Sequence, residues 1–165
     1  MGALPSLPGS YVLLLHLAQP RQLIVGRLGE FDFEAGWYLY VGSAQGPGGL
    51  AARVGHHLQG TARPRWHIDY LRAAARLQAV WYSAEPRRRE DDWAALVSTL
   101  PGARVPVPGF GASDSSAASH LLAFRRPPAF QAFVQRLHRR CPGHAPLHCY
   151  RPGLQAAPRS STLRA

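Results

Sequence analysis

Residues 36–44 read Gly36-Trp37-Tyr38-Leu39-Tyr40-Val41-Gly42-Ser43-Ala44. Aromatic and β-branched side chains crowd Trp37 to Gly42, a composition that suits a pleated, half-buried surface and predicts a strand. Glycine and proline then gather at Gly46, Pro47, Gly48 and Gly49, so Ser43 to Gly49 reads as a loop. Glycines there either let backbone approach a ligand closely or simply turn the chain. Beyond the loop, Leu50, Val54 and Leu58 recur at the spacing of one helical stripe. Strand, glycine loop and amphipathic helix in succession point to an α/β (α+β) chain with a small, mainly antiparallel sheet flanked by helices.

Upstream, Tyr11 to Leu17 is a short apolar run between Pro8-Gly9 and Gln19-Pro20, which reads as a buried strand. Gln22 to Arg27 is a second strand candidate with Leu23 and Val25 on one face, and the turn Ala18 to Arg21 suits a hairpin between the two. Phe31 and Phe33 alternate within Glu30 to Gly36, an irregular edge. Downstream, a helix is expected from Trp66 to about Arg76 with Ile68, Leu71 and Ala75 inward, then a strand over Leu77 to Ser83. A third helix spans about Arg88 to Leu100, carries Trp93, Leu96, Val97 and Leu100 inward, and stops at Pro101-Gly102. Val105 to Ser119 is loop, Leu121 to Phe124 a short edge strand, and Phe130, Phe133, Val134 and Leu137 a last amphipathic helix. These elements divide the chain into a loose lead-in at 1–8, a main domain at 9–128, and a C-terminal part at 129–165. That last part is expected to be a helix followed by a basic tail with little order beyond Tyr150.

The 165 residues allow one domain of ordinary size with a real core. A hydrophobic content of 46% excludes a wholly disordered chain. All 19 basic residues are arginine, against nine carboxylates, for a net charge of +10. Such an excess favours a polyanionic partner, and the planar guanidinium fork suits phosphate. A cationic protein with no such partner has the same composition. Two cysteines are too few for a disulfide framework and fit a reducing compartment. No apolar run is long enough to span a membrane, so the expectation is a soluble, cytoplasmic protein.

Helical geometry at about 100° per residue sorts the polar residues. Arg53 and His57 share a row about 60° from the Leu50–Val54–Leu58 stripe, a position bordering the sheet without being buried under it. In the third helix Glu90 lies about 70° from the inward stripe, Asp92 about 90°, and Asp91 nearly opposite. Glu90 is thus the carboxylate best placed to look back at the sheet. Equally, all three could simply offset the helix dipole in a first turn.

Gly9-Ser10-Tyr11 opens the first strand, Tyr40-Val41-Gly42 closes the third, Arg53 and His57 follow in Arg-x-x-x-His spacing, and Glu90 lies in a later helix. In that order they resemble the GIY-YIG nuclease superfamily. The likeness is closest to its small stand-alone DUF123-type branch, through residues 36–44, Trp66-His67-Ile68-Asp69-Tyr70-Leu71, Pro108 to Asp114 and Ser119-His120-Leu121. It covers residues 9–128. The resemblance implies an endonuclease that hydrolyses phosphodiester bonds in nucleic acid, DNA favoured over RNA, with a role in repair or maintenance. It implies Tyr11 as the group taking a proton from water, Tyr40 as its companion, and Arg53 as the phosphate clamp. His57 becomes a second phosphate contact or proton relay, and Glu90 the ligand of a divalent cation, magnesium or manganese. A free phenol titrates near ~10, so a base role for Tyr11 demands a strongly depressed pKa.

Arg63, Arg65, Arg87, Arg88 and Arg89 could form a phosphate track, or only a solvated basic face. His67 and Asp69 are expected to anchor structure, His67 capped or buried and Asp69 paired with a nearby arginine. Relatives show cysteines near Asp114 to His120, where this chain has Ser115 and Ala117, so no thiol metal site is expected; Asp114 and His120 remain as loop-fixing partners. Cys141, His144, His148 and Cys149 offer the atoms of a zinc site at a spacing that matches no finger pattern, and read better as a polar tail. Two other functions stay open: a catalytically weak or inactive nucleic-acid-binding module, and an interaction domain using the loop Pro106 to Gly111.

Overall fold

The computed structural model describes residues 3–153. Its centre is β1 (Gly9–Leu17), flanked by β4 (Gly36–Ala44) and β5 (Arg76–Ala84). With β6 (Leu121–Phe124) beside β4 and β7 (His148–Tyr150) beside β5, these strands form a five-stranded, wholly antiparallel sheet in the order β6-β4-β1-β5-β7. Helices cover both faces. Tyr11, Leu13, Leu15 and Leu17 pack with Leu50 and Val54 of α1 (Gly49–Gln59) and with Ile68 and Leu71 of α2 (His67–Ala74). Val12 and Leu14 pack on the other side with Trp93 and Val97 of α3 (Glu90–Ser98) and Phe133 and Leu137 of α4 (Phe130–Arg140). Burial on both faces is why β1 reads as an unbroken apolar run rather than an alternating one. The α+β architecture expected from the sequence is the one observed.

The connection after β1 differs. Both edges of β1 are taken by β4 and β5, so no edge remains for a hairpin partner. β2 (Arg21–Ile24) pairs instead with β3 (Glu30–Phe33) as a separate two-stranded sheet, joined through a 3₁₀ turn at Gly26–Leu28. Gly26 and Gly29 bracket that turn with φ of +50° and +111°, values an L side chain resists. α2 ends two residues earlier than expected, because the chain becomes extended at Ala75 and enters β5 directly. α3 begins at Glu90, not Arg88.

The ends of the chain are also more integrated than the sequence suggests. Before β1, the carbonyls of Leu7 and Pro5 accept the N–H groups of Leu50 and Ala51, satisfying donors that α1 leaves free at its N-terminus. The glycine loop therefore turns the chain and does not present that helix end to a ligand. α4 contributes Phe133 and Leu137 to the core, and β7, unexpected from sequence, hydrogen-bonds to β5. The expectation of little order beyond Tyr150 concerns residues 151–165, of which 154–165 lie outside the described residues. Among the described residues no helix is long and apolar enough to cross a membrane.

Candidate active site

Strand register places the two tyrosines. Tyr11 lies opposite Gly42 on β4, and a Cβ at Gly42 would meet the Tyr11 Cζ and Oη at 2.5 Å. Glycine is thus required there for the phenol to lie across the neighbouring strand. Tyr40, two residues before Gly42, projects to the same face, and both rings sit in the α1-side core. Gly9 is equally constrained: a Cβ there would clash with the Ser83 carbonyl oxygen. The glycines of both tripeptides therefore have packing reasons independent of any chemistry.

Tyr11, Tyr40, Arg53 and Glu90 line one cavity of about 410 Å³. They come from β1, β4, α1 and α3, so the sheet's end and two helices on opposite faces converge there. The Arg53 guanidinium stacks over Trp66, 4.3 Å from the ring centroid, which fixes its approach. Burial pushes the Tyr11 hydroxyl well above the ordinary phenol value, with Tyr40 and Glu90 acting the same way and Arg53 opposing. Tyr40 is raised by the same cause. Burial thus moves both phenols in the direction opposite to the depressed pKa that a phenolate base requires.

His57 is the second departure. It is 1% exposed, and the buried stripe of α1 is Leu50, Val54 and His57, with Leu58 only half-buried. An imidazole occupies a core position, which apolar periodicity does not flag. His57 stands behind Tyr11, away from the cavity wall, with Nε2 2.8 Å from the Tyr11 hydroxyl. Burial pushes its pKa down to about 3; nearby Asp69 opposes that shift, while His56, Arg53 and Arg72 reinforce it. A neutral imidazole in that place can accept the Tyr11 proton but cannot reach a phosphate in the cavity.

Glu90 does look toward the sheet and is 8% exposed. Its Oε2 accepts from the Ser43 hydroxyl at 3.0 Å and from Arg88 Nε and Nη2 at 3.0 and 2.7 Å. His120 Nδ1 lies 3.2 Å from Oε1. Burial works to raise the carboxyl, but His120, Ser43 and Arg88 outweigh it and hold Glu90 below the usual carboxylate range. An ionised carboxylate beside a hydroxyl on a cavity wall fits a hard divalent cation, which keeps most of its waters and needs one or two carboxylates. Arg88, whose side chain is 58% exposed, would have to swing out.

Residues 10–142 match a family model described as "Domain of unknown function DUF123". This chain belongs to the DUF123 family. The matched span contains all five residues of the candidate site together with α4. Comparison with curated proteins and with solved structures finds no match.

The basic residues of this DUF123 chain divide. Arg65 and Arg88 line the cavity, and Arg63 and Arg87 are exposed. Arg89 is turned away: its side chain is 13% exposed and bound to Glu85 at 2.7 Å, so it is withdrawn from any phosphate track. Ser115 hydrogen-bonds Asp91 and His120 and so ties its loop to α3. Asp114 lies on the cavity wall. His67 Nδ1 accepts the Gly111 N–H at 3.0 Å, an anchoring role as expected. Asp69 is buried as expected of an anchor, but its side-chain partner is His56 at 3.0 Å, where an arginine was anticipated. His144 uses both ring nitrogens, Nε2 accepting from Trp93 at 3.2 Å and Nδ1 donating to the Ala145 carbonyl at 2.7 Å. His148 stacks on Tyr82, and among the described residues the ligand atoms of these four side chains do not gather within reach of one ion. Ser43, Trp66 and His120 are site neighbours that sequence reasoning did not single out as functional. Their signal was adjacency to the motifs already quoted.

Proposed function

We propose that this chain is a divalent-metal-dependent endonuclease hydrolysing phosphodiester bonds in nucleic acid, DNA favoured over RNA, with a role in DNA repair or maintenance. The observation that carries the reading is the shared cavity, where two phenols, a guanidinium and an ionised carboxylate from four elements face one space. The net charge of +10 supports a polyanionic ligand.

In this reading Arg53, pre-oriented on Trp66, offers its fork to the non-bridging oxygens of one phosphate. A water oxygen bonds to phosphorus as the bond to the leaving ester oxygen breaks. The water's proton passes to the Tyr11 hydroxyl while the proton already on Tyr11 moves to His57 Nε2, across the 2.8 Å hydrogen bond. Tyr11 thus stays neutral and works as a relay, which suits its raised pKa. The departing oxygen takes a proton from solvent, and His57, whose low pKa makes it only a transient holder, returns its proton to solvent through Tyr11. Magnesium or manganese held by Glu90 would supply Lewis-acid stabilisation of charge gathering on the phosphoryl oxygens.

A second reading is a nucleic-acid-binding module with little hydrolytic activity, favoured by the Arg88 guanidinium already neutralising Glu90. The two separate by incubating supercoiled plasmid, single-stranded DNA and RNA with Mg²⁺ or Mn²⁺. A nuclease nicks in a metal-dependent way, and Tyr11→Phe, Arg53→Ala and Glu90→Gln each abolish nicking, while Tyr11→Phe and Glu90→Gln retain binding. Salt-sensitive binding without cleavage under either metal establishes the module.

A further inference from the structure

Behind Tyr11 lies a polar cluster of which the reaction above uses only His57 Nε2. His57 Nδ1 is buried and has no hydrogen-bond partner. The nearest acceptor is Asp69 Oδ1, 3.9 Å away. Asp69 is 4% exposed, and its other oxygen is fixed by the backbone N–H groups of Arg65 at 2.9 Å and Trp66 at 3.1 Å. Oδ1 is also 3.0 Å from His56 Nε2, so one carboxylate oxygen sits between two imidazoles.

We infer that Asp69 is the positioning residue of the Tyr11–His57 pair: through Oδ1 it holds His57 as the Nδ1–H tautomer, leaving Nε2 with the lone pair that receives the Tyr11 proton. The inference rests on the reading of Tyr11 as a proton relay. A hydroxyl can donate or accept, so the Tyr11–His57 hydrogen bond alone is silent about its direction. What faces the other ring nitrogen decides it. The groups around His57 are Tyr11 from β1, Tyr40 from β4, Arg53 and His56 from α1, and Trp66, Asp69 and Arg72 from the α2 side. Of these, Asp69 alone carries negative charge, and it alone favours a proton arriving on His57.

The gap is small. Closing 3.9 Å to a normal hydrogen bond takes a movement of about 1 Å. His56 is the competitor for Oδ1, and its side chain is 26% exposed, so water can replace Asp69 as its partner. Asparagine at position 69 separates positioning from scaffolding. Its oxygen can still accept the two backbone N–H groups, while its NH₂ donates toward His57 Nδ1 and forces the proton to Nε2. An Asp→Asn change of this kind inverts the tautomer and lowers turnover by about 10⁴-fold in a serine protease triad.

The test is ¹⁵N NMR of the histidine-labelled full chain at pH 7, with the His57 signals assigned through His57→Gln. The expected result is an Nδ1–H tautomer in the wild type, kept in His56→Leu and inverted in Asp69→Asn. An Nε2–H tautomer in the wild type overturns the proposal, including the case in which a cation bound among His56, His57 and Asp69 takes the Nδ1 lone pair. Should Asp69→Asn fail to fold, the wild-type tautomer still decides. In the plasmid assay Asp69→Asn is expected to lower kcat by 10²–10⁴-fold with little change in KM; a pure KM effect overturns the positioning role. A wild type that never nicks counts against the nuclease reading, and the tautomer is then judged from the spectra alone.

Discussion

The two faces of the sheet differ in how they are filled: one packs aromatic rings, the other buries a tyrosine, an imidazole and a carboxylate together. On the α3/α4 face, Trp81 stacks on Phe133 and Trp93 meets the same ring edge-on, with centroids 5.6 and 5.2 Å apart. Of its buried imidazoles, His144 has a partner on each nitrogen, while His120, 1% exposed, stands 3.2 Å from Glu90 of α3 with no aligned hydrogen bond on its Nδ1. On the α1/α2 face, Tyr11, His57 and Asp69 are as deeply buried, yet His57 Nδ1 has no partner and a carboxylate stands just beyond reach. Native interiors seldom leave a buried polar atom unpaired. Both unpaired ring nitrogens stand beside groups of the one cavity, His57 behind Tyr11 and His120 beside Glu90, so the incompleteness gathers where the fold is organised for something other than stability.

Four measurements sharpen or break that contrast. The largest effect is expected from Tyr11→Phe, which removes one hydroxyl: nicking falls by about 10²–10⁴-fold in the plasmid assay while the melting temperature stays close to wild type. Equal losses of stability and activity would erase the distinction between the faces. Next, Phe133→Ala on the other face is expected to cost about 3–5 kcal/mol in urea unfolding, with nicking per folded molecule unchanged.

Third, acid should report on His57. Its folded pKa of about 3 lies below the unfolded value of 6.5, so the unfolded chain binds the extra proton between them. Stability from the neutral, buried ring is full above pH 6.5 and is lost as pH falls toward 3, a loss on the order of a few kcal/mol. His57→Leu should flatten that part of the stability curve and leave stability at pH 7 unchanged or higher, while slowing nicking no more than Tyr11→Phe does. An unchanged acid limb would mean the ring is not buried neutral. Smallest is Arg88→Ala, which frees the Glu90 carboxylate from a partly exposed ion pair and should tighten Mn²⁺ binding a few-fold in calorimetry, an effect of about 1 kcal/mol or less. Weaker binding would show Arg88 helping the cation, not excluding it.

Much of this was legible before any coordinates. Strand runs, the glycine loop and the apolar stripes of α3 and α4 carry their periodicity openly, and helical angles placed Glu90, of three adjacent carboxylates, nearest the sheet, with the family resemblance favouring the same residue. The features that stayed hidden were set by partners distant in sequence. The fate of β2 depended on β4 and β5 occupying both edges of β1. The core position of His57 broke the apolar pattern that would have announced it. The raised Tyr11 pKa comes from burial between layers, and Asp69 reaches His56 across thirteen residues of chain. β7 has three residues with no clear alternation and gains its order from pairing to β5.

The most direct check is an anomalous diffraction map of the chain crystallised with Mn²⁺ and a non-cleavable dinucleotide. The expected map has one manganese peak on the Glu90 carboxylate, Arg88 displaced, and the phosphate between Arg53 and the Tyr11 hydroxyl. A phosphate bound elsewhere, with Tyr11, Tyr40, Arg53 and Glu90 untouched, would contradict the assignment of this cavity as the site of hydrolysis.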